Sequence, residues 1–462
     1  MKSKGFIILT AIFLLVIFFT QFKLINRPVA DNDEGIYLTS FLLVDKGYPA
    51  YKNTYFSQPP GYLLSVYPGF ILFGKSLQAA RFTIGIWSMI GLLVILWIGF
   101  ELKNKWTGLF AIGLLLLNRS YFNQSLTFQS DILITTFSLI SLVTLIKFKK
   151  NYYLPWFILS SIFLNLAFWT KFDITFFPSF FLALFLLFSE KKISFKKVIN
   201  LFLIFIAVSF GFFILLIVPF GIKEVFNNSI LLRFQAASSS SSLTLFDYLK
   251  KDITLSLIIL VSLSLGLLKR RSIRYPINII LLWSTFSLIL FFFYRPLFPH
   301  HLVILAVPIV LLFSQLVEFC FKNKKLFKFI VLIIVIISLS NRIYITIKTS
   351  SKLINEQQKK AIEIINKYTN INDIVLSDEE ILNGISRRLP PPELSDISQV
   401  RIRSNNLTPE NFTKIIDTYK PRLIIPWNGR LESIKNFKEN LTNYRILTSI
   451  SASKIIYIII AE

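Results

Sequence analysis

Long apolar segments recur along most of this chain and constrain its fold more than any other feature. A helix needs about 17–25 apolar residues to cross a bilayer, and the sequence contains about eleven such candidates. They lie at 6–22, 82–100, 106–118, 131–146, 154–169, 173–189, 198–220, 253–268, 276–294, 301–320 and 327–343. Because lipid cannot satisfy irregular backbone, these segments must be helical. The sequence predicts a polytopic α-helical membrane protein, with segment 6–22 retained as an anchor because no small-residue cleavage motif follows it.

Basic residues are distributed unevenly between these segments. The 50 Lys and Arg against 25 Asp and Glu leave a net charge of +25, which in a soluble protein would suggest nucleic-acid binding. Here they cluster at every second connection, at 103–105, 147–150, 191–197, 269–274 and 322–328. Such alternation follows the positive-inside rule. We therefore expect a multi-pass plasma (cytoplasmic) membrane protein with a cytoplasmic N-terminus, a lipid bilayer as its surroundings and no nucleic-acid partner.

The remaining connections are then extracytoplasmic, and the first of them, 23–81, is too long for a simple connector. From about residue 350 the hydropathy pattern changes to that of a soluble α/β domain. Helical patterns at 357–368 and 409–419 alternate with strand patterns at 373–377, 422–426 and 444–460. The chain is thus predicted to comprise a transmembrane catalytic domain, 1–345, and a small extracytoplasmic α/β domain, 350–462.

Carboxylates at the outer ends of the spans are the first candidates for chemistry. Asp33 and Glu34 open the long outer segment, and Asp131 begins the fourth apolar span. Carboxylates in this position can serve as a general base or as metal ligands. The alternative is that they are solvated residues that cap helices.

Cationic side chains at the outer ends form a second set. Lys171 occupies a short outer turn, and the last outer segment contains Arg295 with both histidines of the chain, His300 and His301. Lys, Arg and His at an interface suit an anionic headgroup or phosphate, whereas the alternative is interfacial anchoring. A two-histidine metal site would need further ligands, which Asp33, Glu34 or Asp131 could supply only through folding. A divalent metal ion is therefore left open, and no other cofactor is expected.

Several chemistries are not supported by the sequence. It contains no Walker-type phosphate loop, no G-x-S-x-G nucleophile motif and no H-E-x-x-H zinc motif. Its single cysteine, Cys320, excludes both an intrachain disulfide framework and a multi-cysteine metal site.

Five ordered motifs together resemble those of the GT-C polytopic glycosyltransferases. The similarity is to the branch of protein O-mannosyltransferases and the lipid A aminoarabinose transferase, a glycosyltransferase family 39-like group. The motifs are Asp33-Glu34 with Tyr37, Gln58-Pro59-Pro60-Gly61-Tyr62, Asp131, Thr170-Lys171, and Arg295-Pro296 with His300-His301. Two positions depart from the family pattern, because Ile36 replaces an arginine and Gln58 replaces a common acidic residue.

The resemblance implies an inverting transfer of a sugar from a polyprenyl-phosphate donor to an extracytoplasmic acceptor, which is a protein, a lipid or a cell-envelope glycan. By this resemblance Asp33 is the base, Glu34 its neighbouring alternative, and Asp131 orients the acceptor or the base, or shares a metal. The resemblance also implies that cationic side chains bind the donor phosphate. They are Lys171, Arg295, His301, the lesser candidate His300 and, at the edge of the second span, Arg81.

Two other functions stay open at this stage. A transporter or flippase for lipid-linked glycans would place charged residues near the bilayer midplane, whereas the candidates here gather at the outer ends of the spans. An O-antigen polymerase- or ligase-like enzyme would depend on late-loop arginines and a histidine, without an early Asp-Glu pair.

Overall fold

A computed structural model describes most of the chain. The described residues are 3–29, 31–102, 104–172, 194–232, 235, 244–268, 277–295, 297–321, 323–349, 351–451 and 453–460. The predicted span 173–189 lies outside them, as do Pro296, the basic cluster 269–274 and the serine run 238–242 of the outer segment 220–252.

The described secondary structure is mainly helical, with four strands near the C-terminus. Its helices are α1 (Ser3–Leu24), α2 (Asn32–Asp45), α3 (Pro60–Leu72), α4 (Leu77–Glu101), α5 (Lys105–Leu117), α6 (Arg119–Gln124), α7 (Asp131–Asn151), α8 (Leu154–Thr170), α9 (Phe195–Leu216), α10 (Ile222–Val225), α11 (Leu245–Lys251), α12 (Ile253–Leu268), α13 (Ile277–Phe293), α14 (Leu302–Cys320), α15 (Lys324–Lys348), α16 (Glu356–Tyr368), α17 (Glu380–Ser386), α18 (Gln399–Arg403) and α19 (Pro409–Tyr419). Its strands are β1 (Val375–Ser377), β2 (Leu423–Ile425), β3 (Tyr444–Ser451) and β4 (Lys454–Ile459).

The chain divides into two compact units. The first comprises residues 1–25, 82–216 and 242–349, and the second comprises 26–81, 217–241 and 350–462. The long segment after the first helix therefore shares a unit with the C-terminal tail. The domain boundary at 345–350 stays a prediction from the change in hydropathy pattern.

The first unit contains the membrane helices. Six helices of the described chain are long and apolar enough to cross a bilayer, and the predicted spans at 106–118, 154–169, 253–268 and 276–294 form shorter apolar helices. Large apolar side chains of α1, α9 and α15 are exposed, as expected for helices that face lipid. The prediction of a polytopic α-helical membrane protein is thereby confirmed.

Tight helix packing in this unit depends on small residues. A Cβ atom added to Gly99 in α4 would lie 2.9 Å from the Cα of Gly108 in α5. Small residues of this kind let two membrane helices approach closely where apolar burial alone drives no association. Adding a methyl group at this crossing would force the two helices apart.

The second unit contains the α/β part. Its sheet has the order β1-β2-β4-β3, in which β1 and β2 are parallel and the other neighbours are antiparallel. Successive strand residues point to opposite faces, so Leu423 and Ile425 pack with Ile365 of α16, while Ile424 packs with Phe412 of α19. The C-terminal α/β fold predicted from the sequence is confirmed.

Candidate active site

The start of α2 carries the first acidic motif, within the second unit. The Asp31 side chain caps the helix by accepting a hydrogen bond from the Asp33 backbone N–H, at 3.1 Å. Capping leaves Asp33 and Glu34 in the first turn, where the helix dipole favours negative charge. Asp31 is therefore the helix-capping residue of this acidic motif. Asp33 is partly exposed, whereas Glu34 is completely buried.

Glu34 forms a buried bidentate ion pair that sequence reasoning did not find. Its Oε1 and Oε2 accept hydrogen bonds from Nε and Nη2 of Arg81, at 2.8 and 2.6 Å. Arg81, itself fully buried, also donates from Nη1 to the Arg27 carbonyl at 2.7 Å and from Nη2 to the Pro28 carbonyl at 3.3 Å. The resemblance implies that Arg81 binds phosphate, whereas in the structure its guanidinium binds Glu34 and the backbone carbonyls of residues 27 and 28. The pair ties the segment that follows α1 to the start of α2.

A second guanidinium adds positive charge to this cluster. Arg27 is almost fully buried. Burial lowers its pKa to about 10, the charge of Arg81 acts in the same direction, and the Glu34 carboxylate opposes both. Arg27 therefore stays protonated at neutral pH, and two cations surround one carboxylate at the start of α2.

Replacing Arg81 by Met should destabilise this unit strongly. The substitution leaves the Glu34 carboxylate buried without its guanidinium, which costs about 3–5 kcal/mol in comparable pairs. Thermal unfolding of the detergent-solubilised protein measures this loss. Lys75→Met is the matched control, because the Lys75–Asp45 ion pair is partly exposed and should contribute less than about 1 kcal/mol. Equal losses in the two variants would contradict a structural role for the Glu34–Arg81 pair.

The Pro-rich motif packs against the same helix. Gln58 donates from Nε2 to the Tyr37 hydroxyl at 2.8 Å, and the Tyr37 and Tyr62 rings are 4.9 Å apart. Pro60 occupies the first turn of α3, where its missing N–H costs nothing. The Gln58 amide therefore acts as a hydrogen-bond donor to Tyr37.

A second buried ion pair lies in the membrane unit. The Lys171 Nζ donates to Asp131 Oδ1 at 2.9 Å, and both side chains are at least 98% buried. Asp131 is the first residue of α7, and Lys171 directly follows α8. Because the two helices are joined by only two residues, they pack antiparallel, which brings the start of one to the end of the other. Folding thus pairs two motifs that are 40 residues apart.

Both histidines lie beside this ion pair. Pro299–His301 forms a single 3-10 turn ahead of α14, and the two imidazole rings are 4.4 Å apart. Asp131, His300 and His301 each offer a ligand atom, and the three atoms lie within 4.8 Å of one another. One oxygen and two nitrogens suit a divalent transition metal. The Nδ1 of His301 accepts a hydrogen bond from the Phe298 backbone N–H at 3.3 Å.

Arg295 follows the end of α13. In the described part of the chain its Nη1 donates to the Tyr294 carbonyl at 2.6 Å, and no bond to Asp131 or Lys171 is present. The structure therefore brings four of the predicted residues of this unit together: Asp131, Lys171, His300 and His301.

A buried arginine in the last span was not expected from the sequence. Arg342 of α15 is fully buried, donates from Nε to the Thr20 hydroxyl at 2.7 Å and lies 4.9 Å over the Phe122 ring. An arginine inside a membrane segment is rare and is usually paired with another group, so its position in the span could have indicated such a contact. Its contacts join α15 to α1.

Comparison with known proteins gives a consistent result. Residues 57–220 match the model of the dolichyl-phosphate-mannose-protein mannosyltransferase family. No curated protein matches the chain by sequence. The crystal structure of ArnT from Cupriavidus metallidurans bound to undecaprenyl phosphate superposes with a TM-score of 0.71 at 13% identity, covering 100% of this chain and 99% of that one.

The apo structure of the same protein gives a TM-score of 0.71 at 12% identity, over 99% of this chain and 98% of that one. Identity this low shows the fold alone, and the fold extends over the whole chain. The fold expected from the ordered motifs is confirmed: this chain has the fold of ArnT over its whole length.

Proposed function

We propose that this protein is a membrane glycosyltransferase that moves a hexosyl or pentosyl group from a polyprenyl-phosphate donor to an extracytoplasmic hydroxyl. The observation that carries the proposal is a buried Lys171–Asp131 pair with two histidines, on a chain whose whole fold matches a structure bound to undecaprenyl phosphate. The partial family match names a polyprenyl-phosphate sugar, dolichyl-phosphate mannose. Both comparisons support the same class of donor.

The proposed topology places the chemistry outside the cytoplasm. The alternate basic connections favour a cytoplasmic N-terminus, which puts Asp131, Lys171 and His301 at the outer ends of their helices. The α/β tail is then extracytoplasmic. A donor whose lipid lies in the bilayer would present its phosphate at this interface, where no nucleotide sugar is needed.

In the proposed reaction Asp33 acts as the general base. Its carboxylate takes the proton of the acceptor hydroxyl while that oxygen bonds to the anomeric carbon. The bond from the anomeric carbon to the phosphate oxygen breaks, and its electron pair leaves with the polyprenyl phosphate, inverting the anomeric configuration. Glu34 is the weaker candidate, because Arg81 occupies both of its oxygens.

The leaving phosphate is stabilised by cations in this proposal. Lys171 is the main ligand, and His301, Arg295 and the lesser candidate His300 assist it. Asp131 keeps the Lys171 ammonium in position through their 2.9 Å contact. Buried cations of this kind need no reorganisation when charge develops on the phosphate.

A divalent cation is a separate proposal, and we place it at Asp131, His300 and His301. When bound there it would supply further positive charge for the phosphate. EDTA should then lower turnover, added Zn²⁺ or Mn²⁺ should restore it, and titration calorimetry should detect the ion on the wild type but not on His301→Ala. Turnover that EDTA leaves unchanged would remove the cation from the mechanism.

A turnover assay in detergent micelles separates the proposed function from its rivals. Micelles have no compartments, so a transporter yields no product there, whereas a glycosyltransferase releases polyprenyl phosphate and glycosylated acceptor. Monophosphate-linked hexosyl and pentosyl donors should be consumed, and pyrophosphate-linked glycans should not. The opposite donor preference would favour a polymerase or ligase. A deletion strain that accumulates a polyprenyl-phosphate sugar would identify the natural donor.

A further inference from the structure

The helix that carries Asp33 and Glu34 packs directly on the C-terminal α/β fold. A Cβ atom added to Gly35 of α2 would lie 2.5 Å from the backbone nitrogen of Ile381 and 3.1 Å from the carbonyl carbon of Glu380. Backbone atoms cannot move aside as a flexible side chain can. The absence of a side chain at position 35 therefore sets how closely α2 approaches α17.

Two further contacts define the same packing. A Cβ atom added to Gly384 of α17 would lie 2.5 Å from Cδ2 and 2.8 Å from Cγ of Leu38. The Thr39 hydroxyl donates to the Glu380 carbonyl at 2.9 Å, and both groups are buried. Glycines on opposite sides of the contact and a buried hydrogen bond fix both the separation and the register of α2 and α17.

Helix α17 is itself held rigidly. Arg430 donates from Nη2 to Glu380 Oε2 at 2.7 Å in a buried ion pair, and Asn383 donates from Nδ2 to the Val375 and Arg388 carbonyls at 2.6 and 2.8 Å. Asp378, two residues before α17, accepts backbone N–H bonds from the loop that contains Arg430. A buried network satisfied at this many points behaves as a firm support.

Further bonds attach the tail to the rest of the first outer segment. The Ser395 hydroxyl donates to the Tyr55 carbonyl at 3.1 Å, and the Arg401 guanidinium lies 3.8 Å over the Tyr55 ring. The Val29 N–H donates to the Leu353 carbonyl at 3.1 Å, just ahead of α2. The tail thus contacts this segment both before and after the helix that carries Asp33.

We propose that the C-terminal α/β fold positions α2 for catalysis, with Gly35 and Gly384 as the positioning residues. The inference rests on the proposed function, since it takes Asp33 as the base. Neither glycine has a side chain that could touch substrate. Their effect is transmitted through the first turn of α2, where Asp33 and Glu34 immediately precede Gly35.

Gly35→Ala tests the role of this close approach. We expect the added methyl group to shift α2 and lower kcat by about 10²-fold, because a 1 Å displacement of a reacting group costs about that much. The KM for the donor should stay within about twofold of wild type, since none of the proposed phosphate ligands lies on α2. Gly211→Ala is the matched control. It adds the same methyl group to another helix, at a position where no neighbouring atom lies within 4 Å of the added Cβ.

A suppressor pair tests the contact independently. Gly384→Ala should lower kcat by about 10-fold, because the clash is with a side chain that can partly rotate. Leu38→Ala removes Cγ and Cδ2 and leaves its Cβ 3.5 Å from the new methyl, an ordinary contact. The double variant should recover the kcat of Leu38→Ala alone. A double variant as slow as Gly384→Ala would overturn the proposed contact.

Amide hydrogen exchange provides a reading that does not depend on turnover. Gly35→Ala should accelerate exchange in α2 and leave exchange in α7 and α8 unchanged. An active Gly35→Ala variant beside an inactive Asp33→Asn variant would overturn the positioning role while leaving the proposed function intact. If Asp33→Asn is active, the assignment of the base fails, and altered exchange in α2 would still support the packing of α2 on α17.

Discussion

Asp33→Asn should abolish sugar transfer while the protein remains folded in membranes. The amide keeps the size of the side chain and its place in the first turn of α2 but cannot accept the proton of the acceptor hydroxyl. Loss of a general base lowers kcat by about 10²–10⁴-fold. Consumption of a polyprenyl-phosphate sugar by purified protein in detergent measures the effect.

Asp31→Asn is the matched control for this variant. It removes the same charge two residues earlier, and asparagine caps a helix about as well as aspartate. Its kcat should stay near that of the wild type, as should the unfolding temperature of both variants. Turnover by Asp33→Asn within a few-fold of wild type would contradict the assignment of the base.

Lys171→Ala should have the second largest effect among these variants, a reduced use of the sugar donor. Removing one preorganised hydrogen-bond donor that faces a developing anion lowers kcat by about 10²–10³-fold. We expect that loss in kcat/KM for the polyprenyl-phosphate sugar, with little change in KM for the acceptor. Donor saturation curves measured with wild type and variant at equal protein amounts give both values.

The interpretation requires a second variant, because Lys171→Ala also leaves the Asp131 carboxylate buried without its partner. That uncompensated charge destabilises by about 3–5 kcal/mol. Lys171→Ala combined with Asp131→Asn removes both charges and should regain stability without regaining donor use. A double variant that regains both would limit Lys171 to a structural role.

Lys147→Ala is the control for the general loss of a lysine. Lys147 contacts Glu101 at 2.9 Å, and Lys150 contacts the same carboxylate at 2.7 Å, so Glu101 keeps a partner in the variant. Donor use should therefore be unchanged. A comparable loss in Lys147→Ala would show that the Lys171 effect is not specific to its position.

Much of the fold could be predicted from hydropathy. Ten of the eleven predicted spans coincide with apolar helices of the described chain, and span 173–189 lies outside it. The tail could be predicted as well, since the patterns at 357–368 and 409–419 correspond to α16 and α19. Both signals are local: one is the length needed to cross lipid, and the other is the alternation of buried and exposed positions.

The partners of the charged residues could not be predicted in the same way. Arg81 was placed at the edge of a span as a possible cation for phosphate, yet it binds Glu34, 47 residues away. Gln58 stands where the resemblance implies an acid, and its amide donates to the Tyr37 hydroxyl. The sequence contains the residue types, but which cation meets which carboxylate depends on helix packing.

The sequence by itself determined that this chain is a multi-span helical protein with an α/β tail, and that its ordered motifs resemble those of GT-C glycosyltransferases. Apolar length, periodicity and motif order are properties of the chain alone. Only the tertiary structure decided that Lys171 pairs with Asp131 beside two histidines, that Glu34 pairs with Arg81, and that Gly35 contacts α17. These contacts join residues tens to hundreds of positions apart, and their geometry exists only once the helices have packed.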